Sequence, residues 1–317
     1  MKKLFCLLLL TPILFLTSCN GSSNADIITT NFAAYDIARN IAGDKLKCEM
    51  LLNPGQELHG YSPSISDMES VYSSRMFIYI GGESDSSFVE GSILKNISKD
   101  TIVINMIDEV KTNGSLYEEE DPSSAKKETE DESEEEVEYD EHIWTSIKNE
   151  MILTEAIYEK IVKLDSDNKS FYEENKNNFI SELERIDNEI SDVVSNAKTN
   201  LLIFADRFPL LYFVKEYNLE YDAAFKGCDT SKDASVTTIE ALTKKVEDNN
   251  IKVIFTIELS ESNIATTIIN NCKNDGYIVK NLTFYTMHNV SKEDYESGLT
   301  YIDFFEKNIT SLKEALN

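Results

Sequence analysis

The chain has 317 residues, 41% of them hydrophobic, and a formal net charge of −27. That length exceeds one ordinary core and suits two, and the charge argues against a nucleic-acid partner, because phosphate would be repelled. The acid is concentrated: fourteen Asp/Glu and two Lys fall between 118 and 141, a net of −12 that leaves −15 for everything else.

In chain order, Lys2 and Lys3 precede an apolar run over 4–16, broken only by Thr11 and Pro12. The run is too short for a comfortable membrane span and reads as an export signal over 1–18. It ends Leu16-Thr17-Ser18-Cys19, which resembles the bacterial lipobox, whose cysteine is lipidated and becomes the new N-terminus. A plain signal peptide with an incidental Cys19 is the simpler alternative. Residues 19–25 then form a polar tether, and a lipid on Cys19 would hold the protein outside the cytoplasm, on a membrane face, without a spanning helix. Three cysteines remain, Cys48, Cys228 and Cys272. Cys228 and Cys272 could form a disulfide, or all three could be buried thiols.

From 26 the chain alternates. Strands are expected at 26–31, 45–52, 76–80 and 101–107, with helices at 32–42, 64–73 (capped by Ser64 or Ser66) and 88–97. The acidic run has no apolar periodicity and reads as a surface loop over 114–141. A helix follows at 148–164. Between 166 and 197 there is no Gly or Pro, and Phe179, Leu183, Ile186, Ile190 and Val193 recur at steps of four and three, a helical stripe. The second half repeats the alternation, with strands at 200–205, 220–225, 252–257 and 277–284 and helices at 209–217, 236–249, 260–274 and 299–316. This predicts an α/β fold of two pseudo-symmetric lobes, each a parallel sheet flanked by helices, joined by a long rigid backbone helix. The divisions are 26–164, 165–198 and 199–317.

Ligands of open α/β sheets sit beyond the carboxyl ends of the strands. The chain holds three histidines, His59, His142 and His288, each in a loop motif. Neutral imidazole is the commonest protein ligand for a transition metal, so three of them plus a carboxylate suit a four-coordinate site. Asp206 follows the strand at 200–205 and is the fourth candidate; a helix cap or an ion pair with Arg207 is the alternative. Asp140 and Glu141 precede His142, where a carboxylate commonly fixes the tautomer of a metal-bound ring. Glu258 follows the strand at 252–257, as a hydrogen-bond partner of a ligand His or as a cap. There is no Gly-x-Ser-x-Gly elbow, dinucleotide fingerprint or phosphate loop.

With these residues laid out, the chain resembles the substrate-binding lipoproteins of zinc and manganese ABC transporters over essentially its whole mature length. Pro54-Gly55 followed by His59-Gly60-Tyr61 looks like the family's first ligand motif. Asp140-Glu141-His142-Ile143-Trp144 looks like its second. The stretch 204–217 looks like the third-ligand segment, where His or Glu is usual; here it has no His, and Arg207 lies at or beside the ligand register with Asp206 one residue earlier. The family's fourth position, commonly Asp, is here beside Met287, and His288 reads as its replacement.

The resemblance implies one metal bound as cargo in the cleft between lobes, a metal ABC transporter permease as partner, a monomer anchored through Cys19, and no enzymatic activity. Three imidazoles favour Zn2+ over Mn2+, which prefers more oxygen donors. The family's loop before the second ligand is often rich in His; this one is not, and either gathers cations weakly or is a solvated insertion. The competing readings are a manganese or iron carrier, an adhesin-like surface lipoprotein, and a metallohydrolase with Asp206 or Glu258 as base.

Overall fold

The computed structural model describes residues 24–118, 139–225, 227, 234–260 and 263–317. The expected export signal, Cys19, most of the acidic run and Cys228 lie outside the described residues. Cys272, the candidate partner of Cys228, is a buried free thiol.

The first half runs β1 (Ile27–Thr29), α1 (Phe32–Ala42), β2 (Cys48–Met50), α2 (Ile65–Ser73), β3 (Met76–Tyr79), α3 (Glu83–Phe88), a π-helical turn at Val89–Ile93, α4 (Leu94–Asn96), β4 (Ile102–Asn105) and α5 (Met106–Asn113). Then come a 3-10 turn at Ile143–Thr145, α6 (Ile147–Leu164) and α7 (Lys169–Ser195). The second half runs β5 (Leu201–Phe204), α8 (Leu211–Glu216), β6 (Glu220–Ala223), α9 (Val236–Asp248), β7 (Val253–Ile257), α10 (Ile264–Asn274), β8 (Lys280–Phe284), α11 (Lys292–Glu296) and α12 (Tyr301–Ala315).

The strands form two four-stranded sheets, ordered β2-β1-β3-β4 and β6-β5-β7-β8. Every pairing between these strands is parallel. The two orders are the same topology repeated, so the lobes are pseudo-symmetric. In each, the first strand pairs on both sides, which places a crevice beyond its carboxyl end.

Local signals account for most element ends. Asn31 caps α1 by accepting from Ala34 N, and Ser64 caps α2 in a reciprocal box with Asp67. Each such cap contributes about 1 kcal/mol. Asn105 ends β4 because its side chain accepts from Asp108 N and starts α5 there, so the strand stops two residues short of the expected 107. The expected helix at 88–97 instead starts at Glu83 and passes through the π-helical turn.

Helix α7 has 27 residues, or about 40 Å at 1.5 Å per residue. Phe179, Leu183, Ile186, Ile190 and Val193 are buried along it, together with Tyr172. This stripe packs against α1 and α6 of the first half and α12 of the second. One apolar face thus ties the two halves together, and a continuous core extends across both sheets. A smaller cluster, including Ile203, Leu242, Ile254 and Ile268, fills part of the second half.

Candidate metal centre

His59 lies in the loop between β2 and α2. Leu58 is buried beside it, and Gly60 follows at φ +76°, a left-handed turn that suits glycine. The loop is anchored twice: the Tyr61 hydroxyl donates to Asp67 Oδ2 at 2.8 Å, and Gly55 N donates to the Val290 carbonyl of the second half at 2.8 Å.

His142 precedes the 3-10 turn and is buried. Its carbonyl accepts from Thr145 N and from the Thr145 hydroxyl. Asp140 Oδ1 accepts the His142 backbone N–H at 2.9 Å and lies 3.1 Å from Nδ1. The tautomer protonated at Nδ1 makes this contact and leaves the Nε2 lone pair as the ligating one. Asp140 is itself held across the lobes, because its carbonyl accepts from the Tyr212 hydroxyl at 2.7 Å.

His288 follows β8, one residue after Met287, which sits at φ +55°. A buried non-glycine residue in that region is strained, and such strain collects where a loop must aim a side chain. Glu258 supports the loop from the end of β7, accepting from Thr286 N at 2.7 Å and the Thr286 hydroxyl at 2.6 Å. It therefore acts on His288 through Thr286. Trp144 supports it from the first half by donating Nε1–H to the Thr286 carbonyl at 2.9 Å, with its ring stacked 6.0 Å from the His288 ring. Burial, then the neighbouring His142 and His59, hold the His288 imidazole well below its ordinary pKa, so it is neutral.

The three rings converge. The His59 and His288 centroids are 5.2 Å apart and stacked, and His142 and His288 are 5.4 Å apart. The fourth member is Glu141. One donor atom from each of His59, Glu141, His142 and His288 lies within 4.8 Å of every other. Glu141 is buried, with Oε2 accepting from Ser84 N at 2.8 Å and Oε1 3.5 Å from His59 Nε2. Oε1 makes no hydrogen bond among the described residues, and neither does His288 Nε2. A buried carboxylate oxygen and a buried imidazole nitrogen in this state are costly unless something else meets them. Gly82 makes room for this arrangement: a Cβ there would stand 2.4 Å from Glu141 Cβ and 2.3 Å from Oε2.

Asp206, the carboxylate expected from sequence, is not in the group. It is buried with both oxygens turned to backbone, Oδ1 accepting from Arg207 N at 2.8 Å and Oδ2 from Ile257 N at 3.3 Å. It closes the end of β5 against the end of β7, and a carboxylate committed to that junction does not reach the imidazoles. In the sequence, Glu141 stands out only as a neighbour of His142. Its signal was proximity to that ring, with nothing local to show that its side chain, and not Asp140, would turn toward His59.

The model of the family described as "ZnuA: Zinc-uptake complex component A periplasmic" matches residues 27–315. The chain belongs to this family. A relative, the zinc-binding lipoprotein AdcA of Streptococcus pneumoniae, is 26% identical over 321 residues covering 99% of the chain. The chain spans only 61% of the length of that relative. The manganese ABC transporter substrate-binding lipoprotein ScaA of Streptococcus gordonii is 24% identical over 333 residues, covering 100% of this chain and 99% of the relative. The crystal structure of the metal-dependent lipoprotein YcdH from Bacillus subtilis superposes with a TM-score of 0.70 at 24% identity, covering 92% of this chain and 98% of that one. That likeness shows the shared two-lobed fold. The family's description names a component of an uptake complex.

Proposed function

We propose that the protein captures Zn2+ between its lobes through His59, Glu141, His142 and His288, and delivers it to a metal ABC transporter permease. The observation that carries this is the four-donor group, with three imidazole nitrogens and one carboxylate oxygen within 4.8 Å of one another. A tetrahedral zinc with bonds of about 2.0–2.1 Å holds its donors about 3.4 Å apart. The donors therefore contract onto the ion by roughly 1 Å, a side-chain adjustment. Names among the relatives support cation transport and a lipoprotein anchor. We extend to this chain a lipid on Cys19, an extracytoplasmic location, and the division into 26–164, 165–198 and 199–317.

A manganese carrier is the second reading, favoured by the name of ScaA. Three nitrogens to one oxygen is a donor set for zinc, whereas manganese takes more oxygen. The test is metal analysis and competition binding on the mature protein and its His59→Ala, Glu141→Ala, His142→Ala and His288→Ala variants. The parent is expected to retain Zn2+ against a large excess of Mn2+, and each variant to bind more weakly. If all four variants hold zinc as tightly as the parent, the site is wrong; if Mn2+ displaces Zn2+ readily, the cargo is wrong.

A further inference from the structure

An arginine stands beside these imidazoles. Arg207, in the loop after β5, is mostly buried, and its guanidinium Nη2 lies 3.2 Å from Glu57 Oε1. Glu57 belongs to the other lobe, two residues before His59, and its second oxygen lies 3.9 Å from His288 Nδ1. Glu57 thus sits between a fixed positive charge and a ring of the candidate site. Through Glu57, a fixed positive charge is placed next to the ring that would face a divalent cation, and like charges repel.

A guanidinium cannot lose its charge at any working pH. Placed near a cation site it opposes binding, and a carboxylate interposed between the two offsets that opposition. The pair also joins two loops that belong to different lobes, so its separation tracks the opening of the cleft. Asp206 accepts the Arg207 backbone N–H, which sets the start of the loop that carries the arginine.

We propose that Arg207 and Glu57 form an electrostatic tuner of the cation site, in which Arg207 limits how tightly the ion is held and Glu57 screens Arg207 from it. This rests on the zinc-binding reading above. A carrier must bind its cargo tightly and still release it, and a nearby positive charge weakens retention without removing a ligand. Neither residue is a ligand in this scheme, and nothing in it requires either to change protonation.

The experiment is zinc affinity and chelator-induced release for the full mature protein and its Arg207→Gln, Glu57→Gln and doubly substituted forms, at low and high ionic strength. Arg207→Gln is expected to tighten binding and Glu57→Gln to weaken it, each by about tenfold, close to the size of one charge–charge interaction largely screened by water. The double variant should return close to the parent, because its local net charge is the same. The single effects should shrink as salt rises. Parallel losses in both single variants, or salt-independent changes, indicate a packing role and overturn the tuner, as do unchanged affinities. A parent that binds zinc only when the four ligand residues are intact keeps the site reading secure in those cases. A parent that does not bind zinc overturns that reading, and the tuner with it.

Discussion

The two lobes share one strand order and contribute unequally to the candidate site. The first supplies His59, Glu141 and His142, from the loop after β2 and the segment before α6. The second supplies His288 alone. At the end of its leading strand β5 it puts Asp206, spent on the Arg207 and Ile257 backbone, and Arg207, a positive charge. Repeated topology fixes where loops emerge and leaves their side chains free to differ. In the proposed site the cation would be held mainly by one lobe and closed by the other through one ring.

The sharpest way to break this comparison is His142→Ala. It removes a buried ligand of the dominant lobe, and zinc affinity measured by competition is expected to fall by more than the roughly 10–100-fold that losing an outer partner costs. Gly82→Ala tests the same lobe without replacing a ligand. The added methyl displaces Glu141, and a loss of about 10–100-fold is expected; unchanged zinc binding would remove Glu141 from the site.

Asp206→Asn probes the other lobe. Zinc affinity should hold, while urea unfolding shows a loss of about 1–3 kcal/mol from a backbone N–H left without its acceptor. A collapse in affinity with stability intact would restore Asp206 as a ligand.

A pH series on the metal-free protein tests the closing ring. The folded pKa of His288 lies below the ordinary imidazole value, so both states are neutral well above about pH 6.5 and the group contributes no slope there. As pH falls through about 6.5, the unfolded chain binds a proton that the folded chain refuses, and stability declines. His288→Gln should flatten that part of the unfolding curve; an identical slope in the variant would place the titration elsewhere. The smallest effect is expected for Trp144→Phe, which loses the hydrogen bond to the Thr286 carbonyl and about 1 kcal/mol of stability. The readout is again the urea midpoint, and no change would mean that this interlobe bond adds nothing net.

Much of the architecture was legible in the sequence because it rests on local periodicity. The stripe from Phe179 to Val193 marked α7 without any neighbour being known, and the strand–helix alternation implied the parallel sheets. Where the reading slipped, the deciding contact was particular. Asn105 turns β4 into α5 by capping with its own side chain, and α3 starts five residues ahead of the expected helix at 88, where Glu83 and Asp85 occupy the first turn.

For the site, the sequence determined its histidines, since only three exist and each sits in a loop motif. It could not choose between carboxylates. Asp206 follows a strand as a ligand should, and Glu141 looks like a spare neighbour of His142. The choice depends on which backbone N–H groups lie within reach: the Ile257 N–H draws Asp206 away, while the Ser84 N–H and the bare Cα of Gly82 hold Glu141 toward His59. Those partners are tens of residues distant in sequence, so the chain's pattern set the imidazoles and only tertiary packing supplied the oxygen.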